Sequence, residues 1–154
     1  MIQFTHAVLD VITRHGESAY PEECCGALLG TAEPSSRRVS EALPLENGSQ
    51  EERRRRFVIR AEDYRAAERA AQERGLVLVG FYHSHPDHPA MPSDYDLEHA
   101  LPWHSYLILS VRDGQAEAWT VWTLKDDRSR LEPDEAEILP ANRSTNGRST
   151  NGGP

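Results

Sequence analysis

The chain concentrates metal-binding side chains in one short stretch, HSHPDHPAMPSDYD, running from His83 to Asp96. Ahead of it lies Leu76-Val77-Leu78-Val79-Gly80-Phe81-Tyr82, an apolar, β-prone run that predicts a strand covered on both faces, with His83 and His85 at its end. Residues two apart on a strand share a face. Their Cα atoms, about 6.6 Å apart, let both imidazoles converge on one ion at Zn–N distances of roughly 2.0–2.1 Å. Asp96 is the best third ligand, since it follows a loop carrying Pro86, Pro89 and Pro92 and lies in the helix-start signal Ser93-Asp94-Tyr95-Asp96. Two histidines and a carboxylate leave one position of a four-coordinate zinc open, as a catalytic site requires and a closed structural site does not. The stretch therefore predicts a metal-dependent hydrolase.

The same residues support blander readings. Ser93 and Asp96 fit the S/T-x-x-D/E helix-start pattern, in which each side chain caps a backbone amide, and capping alone would explain that pair. The placement of His83 and His85 upstream is what turns the balance toward a metal. His83 to His88 also matches the His-x-His-x-Asp-His pattern that opens metallo-β-lactamase-like hydrolases. Those sites draw further histidines from well downstream, whereas the last histidine here is His104 and the chain has 154 residues, too few for that fold.

His-x-His, seven residues, Ser, two residues, Asp is the spacing of the JAMM motif, and from Phe4 to Leu139 the chain resembles the JAMM/MPN+ zinc metalloprotease family. Pro21-Glu22-Glu23-Cys24-Cys25-Gly26-Ala27-Leu28-Leu29-Gly30 is similar to that family's glutamate-led approach to a strand, with Glu23 three residues before Gly26 and Glu22 as its wrong-register neighbour. The resemblance implies a cytidine-deaminase-like three-layer arrangement and one zinc per chain held by His83, His85 and Asp96. It further implies that Ser93 helps stabilise the oxyanion and that Glu23 is the general base. The implied reaction is amide or isopeptide hydrolysis. The Glu-x-Cys-Gly signal at Glu23-Cys24-Cys25-Gly26 resembles stand-alone prokaryotic-type members that act at the C-terminus of small ubiquitin-like or sulfur-carrier proteins, releasing cysteine or exposing Gly-Gly. The alternative is a metal-free MPN scaffold that mediates protein association.

The elements that must position these groups follow from periodicity. Phe4, Ala7, Val8, Val11 and Ile12 recur at helical steps and predict an amphipathic helix ending near Gly16, with His6 and His15 facing solvent. Cys24 to Leu29 reads as a strand. Residues 33–56 alternate weakly around Pro34, Pro44 and Asn47-Gly48, which predicts an edge hairpin or long loop. Phe57-Val58-Ile59 reads as a short strand before a helix from about Ala61 to Arg74 that Gly75 stops. After a helix from Ser93 that Pro102 ends, Ser105–Val111 and Ala116–Leu124 read as strands joined by an Asp113-Gly114 turn. This order predicts an α/β fold, a mixed β-sheet with flanking helices.

Composition bounds the partners. Seventeen Lys and Arg against 25 Asp and Glu give a net charge of −8, which repels a phosphate backbone and excludes nucleic acid as the expected partner. The basic run Arg53 to Arg56 directly follows Glu51 and Glu52, so it reads first as a solvated loop or strand edge, with a docking patch for an acidic protein partner as the alternative. No apolar run approaches the ~20 residues that span a bilayer, so no membrane role and a cytoplasmic location are expected. Cys24 and Cys25 are adjacent, a poor disulfide framework, and read as two small buried thiols. Residues 1–140 are expected to form one metallopeptidase domain. Residues 141–154, with the tandem repeat RSTNG and nothing apolar to bury, are expected to be a disordered tail.

Overall fold

The computed structural model describes residues 1–50, 52–54 and 56–140, so the expected tail lies outside the described residues. The chain runs β1 (Ile2–Phe4), α1 (His6–Ala19), β2 (Cys25–Ala32), β3 (Arg37–Leu45), α2 (Ala61–Glu73), β4 (Val77–Pro86) and α3 (Asp94–His99). It continues with β5 (Ser105–Arg112), β6 (Gln115–Leu124), β7 (Leu131–Pro133) and β8 (Ala136–Ile138). All eight strands form one sheet in the order β7-β6-β5-β4-β2-β3-β1-β8. The β4–β5, β1–β3 and β1–β8 pairs are parallel and the others antiparallel, so the sheet is mixed.

Strand alternation sorts the apolar side chains onto two faces. Leu28, Tyr82, Leu107 and Leu109 pack with Val8 and Ile12 of α1. Their immediate neighbours Ala27, Leu29, Phe81 and Tyr106 pack with Ala67 and Ala71 of α2. Helix, sheet, helix is the three-layer arrangement expected. No helix among the described residues is long and apolar enough to cross a membrane.

Several local expectations change. Phe4 belongs to β1, because Thr5 accepts the Val8 amide as N-cap at 3.2 Å and the helix starts only at His6. The helix does not stop at Gly16 but passes through it to Ala19. A Cβ on Gly16 would lie 2.6 Å from Leu109 Cδ2, so this glycine is what lets α1 lie close on β5. Residues 37–45 form an interior strand, β3, between β2 and β1, and the chain reverses into it at Glu33–Ser36, not at Asn47-Gly48. Phe57-Val58-Ile59 has no ladder partner and is not a strand. The Asp113-Gly114 turn is as expected, with φ of 50° and 80° at its two residues, the positive values that a tight two-residue hairpin needs.

Candidate active site

β4 is an interior strand, flanked by β2 and β5, and its ladder carries the two histidines further into the sheet than the apolar run alone suggests. His83 pairs with Cys25 on one side and Ile108 on the other, and His85 with Ser110. Both project to the face of Phe81, while Ser84 between them points to the other face and accepts the Cys24 amide at 2.8 Å. Asp96 comes from α3. There Ser93 and Asp96 form a reciprocal capping box, with Ser93 Oγ accepting the Asp96 amide at 3.1 Å and Asp96 Oδ2 accepting the Ser93 amide at 2.9 Å.

The capping and metal readings of Asp96 are therefore compatible, since the cap aims the carboxylate at the histidines. His83 Nε2 lies 3.1 Å from Asp96 Oδ1, His85 Nε2 lies 3.1 Å from Asp96 Oδ2, and the two Nε2 atoms are 3.2 Å apart. Ligands of a tetrahedral zinc at roughly 2.0–2.1 Å sit about 3.3 Å from one another; the two Nε2 atoms meet that spacing, and one ligand atom from each of the three residues lies within 4.8 Å of the others, so the cluster could hold a metal ion. His85 Nδ1 donates to the Pro89 carbonyl at 2.9 Å, which orients the ring with Nε2 toward the cluster. His83, His85 and Asp96 are all buried.

Electrostatics sharpen the picture. Burial pushes the His83 pKa down, favouring its neutral, ligating form. Burial would also lower His85, but hydrogen bonds to Asp96 and Pro89 outweigh it and raise its pKa. Burial would raise Asp96, yet the hydrogen bonds from His83 and His85 hold it well below the usual carboxylate range. Glu23 behaves oppositely. It is 5% exposed, one carboxylate oxygen lies 3.9 Å from His85 Nε2, the other has no partner among the described residues, and burial raises its pKa to about 8. Glu22 is exposed, although the two glutamates precede β2 and their opposition does not come from strand alternation.

Asn47 is the residue that sequence reasoning missed. Its Nδ2 donates to the carbonyls of Glu23 (3.1 Å) and Arg56 (3.0 Å), and its Oδ1 accepts the amides of Ser49 (3.0 Å) and Val58 (3.1 Å). With Glu23 N donating to Arg53 O at 2.7 Å, the 46–60 segment is stapled to the backbone of Glu23. That segment lays Phe57 on the His83 ring, centroids 4.5 Å apart. The NG dipeptide signals a turn, which masked this role.

The other histidines near the cluster fall outside it. His99 stacks on Tyr95 and bonds its carbonyl, and the His88 side chain is exposed. Asp87 turns to the Tyr20 hydroxyl and the Asp113 amide, so the His-x-His-x-Asp-His pattern assembles no site. His15 is half-buried against the Tyr82 hydroxyl at 2.7 Å, contrary to a solvent-facing place. Cys24 and Cys25 are free and buried, as expected. The basic run is dispersed: Arg53 bonds the Ser49 carbonyl, while Arg56 pairs with Glu52 and lies over Tyr95.

Fold and cluster together define an α/β domain with a two-histidine, one-carboxylate site on an interior strand and the helix that follows it. The chain belongs to the family of prokaryotic homologs of the JAB domain, which it matches over residues 5–125. It is 38% identical over 103 residues to a desampylase of Haloferax volcanii, covering 65% of this chain and 71% of that protein. It is 39% identical over 100 residues to tail tip assembly protein K of Escherichia phage N15, covering 62% of this chain but only 37% of the phage protein's length. Among solved structures, a Salinibacter ruber protein is 48% identical with a TM-score of 0.70, covering 92% of this chain and 93% of that one. A JAB1/MPN domain protein from Archaeoglobus fulgidus shares the fold at 18% identity and a TM-score of 0.58, covering 91% of this chain and 98% of that one.

Proposed function

We propose that this chain is a zinc-dependent peptidase that cleaves a peptide or isopeptide bond at the C-terminus of a small ubiquitin-like or sulfur-carrier protein. The observation that carries the reading is the triangle of His83, His85 and Asp96 with the partnerless carboxylate oxygen of Glu23 beside it. His83, His85 and Asp96 would hold one zinc. Such an ion supplies Lewis acidity at the scissile carbonyl and lowers the pKa of a water. Glu23 takes the proton of the attacking water, whose oxygen bonds to the carbonyl carbon, and passes it to the nitrogen as the C–N bond breaks. Carboxylate and amine are the products. Ser93, exposed at the rim of the same cleft, would hydrogen-bond the developing oxyanion.

The ubiquitin-like substrate is supported by the name of the halophile relative and by the Glu23-Cys24-Cys25-Gly26 signal, and the two free thiols agree with a cytoplasmic setting. Zinc analysis of the purified protein, together with intact-mass assay of ubiquitin-like carriers extended past Gly-Gly, tests this. Protein without zinc affinity and without cleavage would favour the scaffold role instead, the reading that the phage assembly protein's name brings forward.

A further inference from the structure

Two hollows open on different sides of the histidine pair. One, of about 230 Å³, is walled by aromatic rings, Phe57, Phe81, Tyr95 and Tyr106 among them, and reaches His83 and Asp96. The other, of about 420 Å³, is bordered by Glu23, His85 and Ser93, and by Arg54 and His88. A group that hands a proton to the leaving nitrogen must come within hydrogen-bond reach of it, roughly 2.6–3.2 Å. The leaving nitrogen and whatever it carries therefore occupy the second hollow.

Arg54 lines that hollow and also a further one beside Glu22 and Glu52. Its neighbours Arg53 and Arg56 are engaged, but among the described residues Arg54 makes no hydrogen bond or ion pair. Its backbone is held in place, because the bonds of Asn47 and of the Glu23 amide tie Arg53 and Arg56, on either side of it, to the backbone of Glu23. In a residue released from a chain end, the α-carboxylate is two bonds from the leaving nitrogen. In an internal peptide bond that carboxyl is a neutral amide, and in a lysine isopeptide it is several carbons away. A guanidinium fork matches a carboxylate with two parallel, charge-assisted hydrogen bonds.

We infer that Arg54 binds the free α-carboxylate of the released residue, so that this enzyme prefers a single C-terminal residue as leaving group over an internal or lysine-linked one. The inference rests on the peptidase reading above. Its test is a small ubiquitin-like carrier extended past Gly-Gly by one alanine, prepared as the free acid and as the C-terminal amide, and offered to the zinc-loaded full chain. The acid should be favoured by about 10- to 100-fold in kcat/KM, expressed in KM, as a charge-assisted bond predicts. The ratio should fall to near one in Arg54→Ala and be partly kept in Arg54→Lys. Calorimetric binding of the two forms to Glu23→Gln should show the same preference without turnover. Equal cleavage of acid and amide by the wild type, or an acid preference undiminished in Arg54→Ala, overturns the inference and leaves the peptidase reading standing. Cleavage of neither form overturns both.

Discussion

Glu23→Gln separates the cost of burying a carboxyl from its use in catalysis. With a folded pKa of about 8 against an ordinary value of 4.5, Glu23 holds its proton in the folded, metal-stripped protein where the unfolded chain has lost it. The raised pKa means that the folded state binds more protons across this window, so stability is full below about pH 4.5 and is lost as pH rises through about 8. Three and a half units at 1.36 kcal/mol each put the upper bound of the loss at about 5 kcal/mol. Glutamine keeps the shape and cannot ionise. Chelator-treated Glu23→Gln should therefore match wild type in denaturant unfolding at pH 5 and exceed it by a few kcal/mol at pH 8.5. On the zinc-loaded enzyme the same change should keep the metal and reduce turnover of an extended carrier by about 10²–10⁴-fold, while exposed Glu22→Gln alters neither stability nor rate. Parallel stability profiles for wild type and Glu23→Gln from pH 5 to 8.5 would refute the burial argument. A fast Glu23→Gln enzyme would refute the role.

Removing any one of His83, His85 or Asp96 by alanine should abolish bound zinc and activity together, measured by metal analysis of desalted protein, whereas His88→Ala and His99→Ala should retain one ion. Ser93→Ala should keep zinc, lose about 1 kcal/mol of capping in urea unfolding, and slow hydrolysis by about 10²–10³-fold; an unchanged rate in the folded variant would leave only the cap. Gly16→Ala should cost about 1–3 kcal/mol by thermal or urea unfolding, because its methyl would press on Leu109 and Val111; a neutral result would mean that α1 can lift from the sheet without penalty.

The candidate metal cluster was legible because it is local. His83, His85, Ser93 and Asp96 lie within one strand, loop and helix, and their spacing encodes a shared face and a cap. The three-layer fold was legible for a similar reason, since β2, β4 and β5 each bury a continuous run of their own. What was hidden is non-local. β1 is three residues long and exists only because Ile2 and Phe4 pair beside β3, whose polar and apolar alternation is too weak to announce an interior strand. Nothing in the order of residues 46–60 says that Asn47 reaches the Glu23 carbonyl or that Phe57 covers His83, because both contacts are made with segments distant in the chain.

The capping box has a consequence for how the chain can sense its own loading. α3 spans six residues, too short to persist without tertiary help, and one of its first-turn acceptors is the carboxylate that faces the histidines. With the zinc site proposed above, helix order and ion occupancy would be two readouts of one thermodynamic cycle: whatever grips Asp96 from the histidine side also holds the start of α3. Deuterium uptake at the amides of residues 94–99 then becomes an internal gauge of metal saturation, needing neither substrate nor turnover, and its slowing on addition of zinc measures the coupling directly.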